Sequence, residues 1–282
     1  MTKEQAGILG SEPHTGGLAI PSTKHKPPKN LADGMIKALR PRQWVKNVLV
    51  LAAPMAAGSD VLLNRRTIID VAIAFAVFCM AASAIYLVND AKDVEADRAH
   101  PTKQFRPIAA GVLPVGLAYG MAVLLIAGSV GVSLLASSGR NLAIVMAIYI
   151  VLQLGYCFGW KHLPVIDIAL VSSGFMLRAM AGGVAAGITL SQWFLLVAAF
   201  GSLFMASGKR YAEILLAEKS GAKIRKALEG YTPTYLRFVW TLSATAVVMS
   251  YALWGFEMAN MVQHHGAVWY EVSMVPFTVA IL

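Results

Sequence analysis

Long apolar runs without charge divide this chain, and they predict helices that span a membrane. No Asp, Glu, Lys or Arg occurs within residues 107–139, 141–160, 179–208 or 238–256. Each run reaches the length of about 18 apolar residues that a membrane-spanning helix requires. Strands of a membrane barrel would instead alternate apolar and polar residues over about ten positions, and these runs do not alternate. The pattern therefore predicts an all-α fold, a polytopic transmembrane helix bundle.

The apolar runs and their flanks place seven complete helices and the start of an eighth. The predicted spans are residues 35–57, 67–92, 114–136, 141–158, 164–186, 191–217 and 233–257, and the eighth starts near residue 268. Residues 1–34 are rich in Pro, Gly, Lys and Thr, which is typical of a disordered tail. We therefore predict a tail over 1–34 and a transmembrane catalytic domain over 35–282. The last apolar run continues to Leu282, so we expect further helices beyond it.

Composition supports the membrane prediction, and the distribution of charge indicates an orientation. Hydrophobic residues make up 57% of the chain and charged residues 14%, and mean hydropathy is +0.61. Of the 24 Lys and Arg residues, twenty fall on the N-terminal side of the predicted spans, and only Arg65, Arg66 and Arg140 fall on the opposite side. Basic loops face the cytoplasm, so we expect the N-terminus there. The net charge of +9 is thus a topology signal, and no nucleic-acid partner is predicted.

Acidic residues follow the second predicted span at helical spacing. Asp90, Asp93 and Asp97 fall within about 60° of one another on a helix, with Tyr86 on the same side and Asn89 as an orienting neighbour. Clustered carboxylates at a membrane edge repel one another, and a hard divalent cation relieves that repulsion. Ligation by oxygen alone favours Mg²⁺, or Mn²⁺, over zinc. The pattern predicts a catalytic metal–diphosphate site; the alternative is solvated acids that pair with neighbouring basic residues.

Basic residues near the same membrane edge are candidates for binding phosphate groups. Guanidinium and ammonium groups are common ligands of phosphate oxygens. The candidates are Lys46, Lys103, Arg106, Lys209 and Arg210. The alternative is that these charges only set the topology, which needs no ligand.

The residues around the acidic stripe resemble a known family. Residues 89–97, which read Asn-Asp-x-x-Asp-x-x-x-Asp, and residues 106–111, Arg-Pro-Ile-x-x-Gly, are similar to the first aspartate motif of the UbiA-type intramembrane prenyltransferase superfamily. Residues 40–47, Arg-Pro-Arg-Gln-Trp-Val-Lys-Asn, resemble the entry to that superfamily's first helix. The resemblance implies nine helices around a central cavity that opens to lipid.

The second aspartate motif that is typical of this superfamily is incomplete here. Asp167 stands alone, and Val171 holds the position of its usual partner. Arg178 lies on the same helix face about 16 Å further along, and an arginine inside a membrane is a functional hypothesis by default. Neutralisation of a buried acid is the alternative role for it. Tyr86, Tyr156, Asp167 and Arg178 complete the candidates for binding a ribose or an acceptor.

This chain resembles one branch of the superfamily, the decaprenyl-phosphate 5-phosphoribosyltransferases of actinobacterial arabinan synthesis. The resemblance rests on the incomplete second motif, the entry sequence and Lys209-Arg210-x-x-Glu213. The resemblance implies transfer of 5-phosphoribosyl from phosphoribosyl diphosphate to a polyprenyl phosphate, with release of diphosphate, at the cytoplasmic face of a bacterial cell membrane. One alternative is an aromatic prenyltransferase of the same superfamily that uses a prenyl diphosphate. Another is a transporter with Asp167 and Arg178 on its substrate path. Prenyl length and oligomeric state, including a homo-oligomer, stay open.

Overall fold

The computed structural model describes residues 27–220, 228–261 and 267–282. Every regular element within these ranges is helical, which confirms the all-α prediction. The α-helices are α1 (Leu31–Ala38), α2 (Ala52–Ala56), α3 (Ser59–Leu62), α4 (Arg65–Lys92), α5 (Val94–Arg98), α6 (Val115–Ser133), α7 (Gly139–Cys157), α8 (Ile166–Ala185), α9 (Gln192–Ser220), α10 (Pro233–Met261), α11 (Ala267–Val272) and α12 (Met274–Ile281). Shorter 3₁₀ segments cover Pro41–Leu51, Lys103–Phe105 and Trp160–His162.

Within the described ranges, five helices are long and apolar enough to cross a membrane: α4, α6, α7, α8 and α10. A multi-pass membrane protein is therefore confirmed, and these five helices correspond to the predicted spans 67–92, 114–136, 141–158, 164–186 and 233–257. Helix α9 covers the predicted span 191–217 and is long enough to cross a membrane, but it is not among the five.

The first predicted span, residues 35–57, is not one continuous helix. The chain leaves α1 at Arg40, which takes a left-handed conformation with φ 52° and ψ 58°. Proline disfavours the helical conformation in the residue before it and has no N–H to donate, so Pro41 accounts for the break. The chain then continues as the 3₁₀ segment Pro41–Leu51 and the short helix α2.

The first helix also begins earlier than the predicted boundary between tail and membrane domain. Helix α1 starts at Leu31, after Asn30, whose side chain accepts a hydrogen bond from a backbone N–H of the first turn. The helix therefore includes the end of the segment predicted as a tail over residues 1–34. Residues 1–26 of that predicted tail lie outside the described residues.

Helix α4 lies at the centre of the bundle. In the most apolar stretch of this helix, 67% of the residues are buried inside the protein, compared with 17% for α6 and 22% for α10. Small side chains such as Ala74, Ala81 and Ala84 are fully enclosed and let the neighbouring helices approach closely. The end of this central helix carries Asp90, so the predicted acids lie where several elements meet.

The 3₁₀ segment packs directly on α8, and one glycine permits the contact. A Cβ atom at Gly182 would overlap the carbonyl oxygen of Val50, and a backbone atom cannot move away as a flexible side chain does. The next residue, Gly183, faces the Cβ atom of Ala53 in the same way. The close approach brings Asn47 of the 3₁₀ segment against α8.

We expect Gly182→Ala to lower the free energy of unfolding by about 1–3 kcal/mol, because the added methyl group overpacks this contact. Thermal unfolding in detergent measures the change. Gly120→Ala in α6 is the matched control, since nothing lies within 4 Å of the position of its Cβ atom. Equal stability of the two variants would contradict the close packing of the 3₁₀ segment on α8.

Candidate active site

The predicted acids gather at the end of α4, but the helix is interrupted among them. Helix α4 ends at Lys92, Asp93 has φ −90° and ψ 14°, and α5 starts at Val94. Asp90 and Asp97 are only 3% and 2% exposed, whereas Asp93 is half-buried. The prediction of one uninterrupted helical stripe is therefore wrong, because the helix is interrupted at Asp93, although Asp93 and Asp97 line the same cavity.

One guanidinium nitrogen bridges the two buried acids. Arg106 Nη1 donates to Asp90 Oδ1 at 3.0 Å and to Asp97 Oδ2 at 2.6 Å. Arg40 Nη2 donates to both oxygens of Asp90, at 2.7 and 2.6 Å. Lys103 Nζ lies 3.7 Å from Asp97 Oδ1. The Asp90 and Asp97 carboxylates thus point to one common position, which the Arg106 guanidinium occupies.

Asp93 has a separate cation and faces a cavity. Lys161 Nζ donates to its two oxygens at 2.9 and 3.2 Å. The cavity has a volume of about 580 Å³. Its walls carry acidic, basic and neutral polar groups from several elements: Asn89, Asp93, Ala96, Asp97, Lys103, Arg106, Tyr156, Lys161, His162 and Arg210. Seven of the residues predicted for the site therefore line this one cavity: Asn89, Asp93, Asp97, Lys103, Arg106, Tyr156 and Arg210.

Asp167 has a partner that the sequence did not reveal. Arg210 Nε and Nη2 donate to its two oxygens at 2.8 and 2.9 Å, and Asp167 is fully buried. The remaining terminal nitrogen of Arg210 donates to Glu213 Oε2 at 3.0 Å. Tyr156 Oη lies 3.5 Å from Arg210 Nη2. Arg210 is thus held by two carboxylates, and its binding of phosphate stays a prediction.

Arg178 is buried between α8, α7 and the 3₁₀ segment, and its partners are neutral. It donates from Nε to Asn47 Oδ1 at 2.8 Å, from Nη2 to Tyr149 Oη at 2.8 Å and from Nη1 to the Gly174 carbonyl at 2.6 Å. Its guanidinium carbon also lies 5.5 Å from the centre of the Phe78 ring. No acid pairs with it among the described residues, so neutralisation of a buried acid does not hold there.

The other predicted residues lie near these groups with fewer contacts. The Arg40 guanidinium lies over the Tyr86 ring, 4.7 Å from its centre. The side chains of Lys46 and Lys209 are exposed. The positive charges of Lys209, Arg178 and Arg40 repel that of Lys46. The structure therefore brings the predicted cations to the same region as the acids.

Sequence reasoning missed the roles of Arg40, Lys161, Asn47 and Tyr149. Arg40 and Asn47 fall inside the entry sequence that resembles the family, which offered a signal, although it did not show their partners. Lys161 and Tyr149 offered none, because their contacts join elements that lie far apart in the chain.

The acids fit a hard divalent cation in part. Among the described residues, no three Asp, Glu, His or Cys side chains are grouped as metal ligands. Asp90 and Asp97 nevertheless share one cation position, where Arg106 Nη1 lies, and their ligand atoms are oxygens, which Mg²⁺ prefers. Because Mg²⁺ commonly keeps only one or two protein carboxylates and completes its shell with phosphate and water, this pair suits it. Ligation by Asp93 stays a prediction.

The turn before α8 is strained and held by a buried tyrosine. Val165 has φ 68° and ψ −50°, a region that β-branched residues rarely adopt. Its N–H donates to Tyr231 Oη at 2.7 Å. Burial raises the pKa of the Tyr231 phenol, so the hydroxyl keeps its proton at neutral pH. Since Asp167 follows two residues after the strained position, Tyr231 holds the turn that leads into Asp167.

We expect Tyr231→Phe to lower the free energy of unfolding by about 1–3 kcal/mol, because the Val165 N–H loses its acceptor. Hydrogen exchange at the Val165 amide should accelerate in the same variant. Tyr235→Phe is the control, since the Tyr235 ring stacks on Tyr231 and its hydroxyl has no hydrogen bond within the described residues. Unchanged exchange at Val165 would contradict the positioning role.

Known proteins are similar to this chain in sequence and in fold. The model of the UbiA prenyltransferase family matches residues 48–282. A decaprenyl-phosphate phosphoribosyltransferase of Corynebacterium glutamicum is 76% identical over 280 residues, which cover 99% of this chain and 84% of that protein. One of Mycobacterium tuberculosis is 60% identical over 262 residues, 91% and 84% of the two chains. A UbiA homologue from Archaeoglobus fulgidus, solved with DMAPP and Mg²⁺, has the same fold, with a TM-score of 0.68 at 16% identity over 88% and 85% of the chains.

Proposed function

The chain belongs to the UbiA prenyltransferase family, and we propose that it transfers 5-phosphoribosyl from phosphoribosyl diphosphate to a polyprenyl phosphate, with release of diphosphate. The relatives named decaprenyl-phosphate phosphoribosyltransferase, at 60% and 76% identity, support the lipid acceptor. The observation that carries the proposal is the buried acid pair, Asp90 and Asp97, surrounded by three cations from two separate segments. Such a set suits a metal-bound diphosphate together with further phosphate groups.

The cations at the acid pair are suited to the donor. A bound Mg²⁺ would supply charge neutralisation of the departing diphosphate, and Asp90 and Asp97 would hold it. Arg106 and Arg40, which pair with these acids in the structure, then have donors for the phosphate oxygens. Lys161, which lines the same cavity, serves the same purpose beside Asp93.

The proposed reaction does not need a general base. The bond between ribose C1 and the diphosphate oxygen breaks, the electron pair leaves with diphosphate, and an oxygen of the lipid phosphate forms the new bond to C1. Because the attacking phosphate is already an anion, no proton has to be removed from it. The enzyme's contribution is to orient both phosphates and to stabilise the leaving group.

The basic end of the bundle suits a cytoplasmic active site in a bacterial inner membrane. Phosphoribosyl diphosphate is highly charged and soluble in water, so it approaches from the aqueous side and does not cross the bilayer. The acid pair and its cations lie at the end of α4 that the distribution of Lys and Arg assigns to the cytoplasm. The lipid acceptor approaches from the bilayer.

Parallel incubations of the purified protein with two substrate pairs test the proposal. One contains labelled phosphoribosyl diphosphate, a polyprenyl phosphate and Mg²⁺, and the other contains a prenyl diphosphate and hydroxybenzoate. We expect thin-layer chromatography to show a lipid-linked pentose phosphate only in the first, lost with EDTA and restored by Mg²⁺ or Mn²⁺. A prenylated aromatic product without any lipid-linked pentose would overturn the proposal.

A further inference from the structure

The α7–α8 loop, residues 158–166, exposes apolar side chains that a loop in water rarely carries. Five of these residues are apolar and between 42% and 61% exposed: Phe158, Trp160, Leu163, Val165 and Ile166. Loops that face water are usually polar, whereas an exposed apolar patch indicates contact with a membrane or with another protein. The loop therefore has a neighbour other than water.

The loop before α6 provides a comparison at the same end of the bundle. Residues 99–114, all of which the structure describes, expose no large apolar side chain, and their exposed residues include Thr102 and Gln104. Both loops are tied to the acids at the end of α4, one through Arg106 and the other through Lys161. Two loops at one edge of the bundle thus differ in their surroundings, because the first presents polar groups and the second presents apolar ones.

The α7–α8 loop joins two membrane-spanning helices, so it lies at the membrane surface. Helix α7 ends at Cys157 and α8 begins at Ile166, and both are long and apolar enough to cross a membrane. A connection this short cannot carry the chain far from the ends of the helices. Aromatic side chains are enriched at this depth, where hydrocarbon meets the headgroups. Phe158 and Trp160 therefore suit the boundary between acyl chains and headgroups.

The loop keeps an apolar side chain even where the backbone disfavours it. Val165 has φ 68°, a left-handed conformation that glycine and asparagine adopt readily and β-branched residues rarely do. Its side chain is exposed, so no packing in the core of the protein requires a valine there. Strained backbone of this kind persists where function requires it, and insertion into lipid gives the valine such a function.

A lysine without an acidic partner lies beside an exposed ring of the loop. Lys92 Nζ is 4.5 Å from the centre of the Phe158 ring, and the Lys92 side chain is exposed. Within the described part of the chain, no carboxylate pairs with it. The cytoplasmic leaflet is negatively charged and attracts basic residues close to the membrane. An ammonium group above an apolar surface therefore matches a phospholipid, with its phosphate at Lys92 and its acyl chains along the loop.

We propose that the α7–α8 loop is a membrane anchor, which inserts into the leaflet on the side of the acids and places Lys92 at the phosphate of an anionic phospholipid. The partner is the bilayer and neither substrate of the transfer reaction, so the anchor goes beyond the proposed function. Lys161 and His162 lie between the inserted side chains and line the cavity. The anchor therefore also holds one wall of the cavity against the membrane surface.

Spin-label accessibility in nanodiscs that contain phosphatidylglycerol measures the depth of the loop. A nitroxide at Leu163→Cys should lie about 5–10 Å below the lipid phosphates, where oxygen relaxes it and a water-soluble nickel complex does not. The same label at Phe158→Cys provides a second position if the first variant fails to fold. Gln104→Cys, in the loop of residues 99–114, is the matched control and should be open to the nickel complex. The natural cysteines Cys79 and Cys157 are buried, so the unsubstituted chain gives the labelling background.

Two results would overturn the anchor. Nickel access at Leu163→Cys equal to that at Gln104→Cys would place the loop in water. Protection from both oxygen and nickel would show that another protein, or a second copy of this chain, covers the loop in place of lipid.

Native mass spectrometry of the protein with added phospholipid tests the role of Lys92. We expect Lys92→Gln to weaken binding of phosphatidylglycerol about fivefold, the contribution of one lysine at an anionic membrane surface, and to leave binding of phosphatidylcholine unchanged. Lys219→Gln, at an exposed lysine in the last turn of α9, is the control and should bind both lipids as the wild type does. Equal binding of phosphatidylglycerol by the wild type and Lys92→Gln would overturn the headgroup contact. Because neither measurement contains a donor or an acceptor, both outcomes stand apart from the test of the proposed function.

Discussion

Asp90→Asn and Asp97→Asn should each reduce turnover about 1000-fold or more, while the protein still folds and inserts. Both carboxylates converge on one cation position, and an amide lacks the negative charge with which a carboxylate holds a divalent metal. Loss of the metal removes the main stabilisation of the departing diphosphate. Product formation at saturating substrates, with Mg²⁺ titrated over a wide range, measures the effect.

Glu95→Gln is the matched control for both substitutions. Glu95 lies in the same segment, but its side chain is 80% exposed and pairs with Arg98. We expect wild-type turnover from this variant. Turnover of Asp97→Asn within about tenfold of wild type, or wild-type turnover in EDTA, would contradict the assignment of the acid pair to the metal.

Asp167→Asn should lower the free energy of unfolding by about 3 kcal/mol, because it leaves the Arg210 guanidinium buried with its main partner neutralised. The loss falls at the low end of the range for broken buried pairs, since Glu213 still accepts one hydrogen bond from Arg210. Thermal unfolding in detergent, followed by tryptophan fluorescence, measures the change. Turnover should fall in parallel, since Arg210 lines the cavity.

Glu213→Gln provides the comparison for the buried pair. It removes a charge from the same guanidinium, but the Glu213 side chain is 27% exposed where that of Asp167 is fully buried. Solvent screens the exposed pair, so we expect a loss of less than about 1 kcal/mol. If Glu213→Gln destabilised the protein as much as Asp167→Asn, the bidentate pair would not be the contact that joins α8 to α9.

Local patterns predicted the helices and the place of the acids. The uncharged runs mark α6, α7 and α10 because a span needs a long apolar stretch, and this requirement is visible in any window of the sequence. The spacing from Asp90 to Asp97 likewise placed two buried acids at one helix end. The break at Asp93 was not visible, because nothing in its neighbourhood forbids a continuous helix.

Contacts between distant segments could not be predicted. Asp167 was alone in its own helix, and its partner Arg210 comes from a helix 43 residues later. Arg40 reaches Asp90 across 50 residues because its left-handed backbone redirects the chain before the 3₁₀ segment. Pro41 marks the position of that turn, yet the direction that the turn gives to the side chain follows only from the packing around it.

Mass spectrometry of the lipid made from oxygen-18-labelled polyprenyl phosphate tests the transfer of phosphoribosyl most directly. Attack by the lipid phosphate on ribose C1 places a labelled oxygen in the new bond. We therefore expect a product with the mass of the labelled polyprenyl phosphate plus one phosphoribosyl group, all of its label retained, and unlabelled diphosphate. Label in the diphosphate, or a lipid product without pentose phosphate, would contradict the proposed reaction.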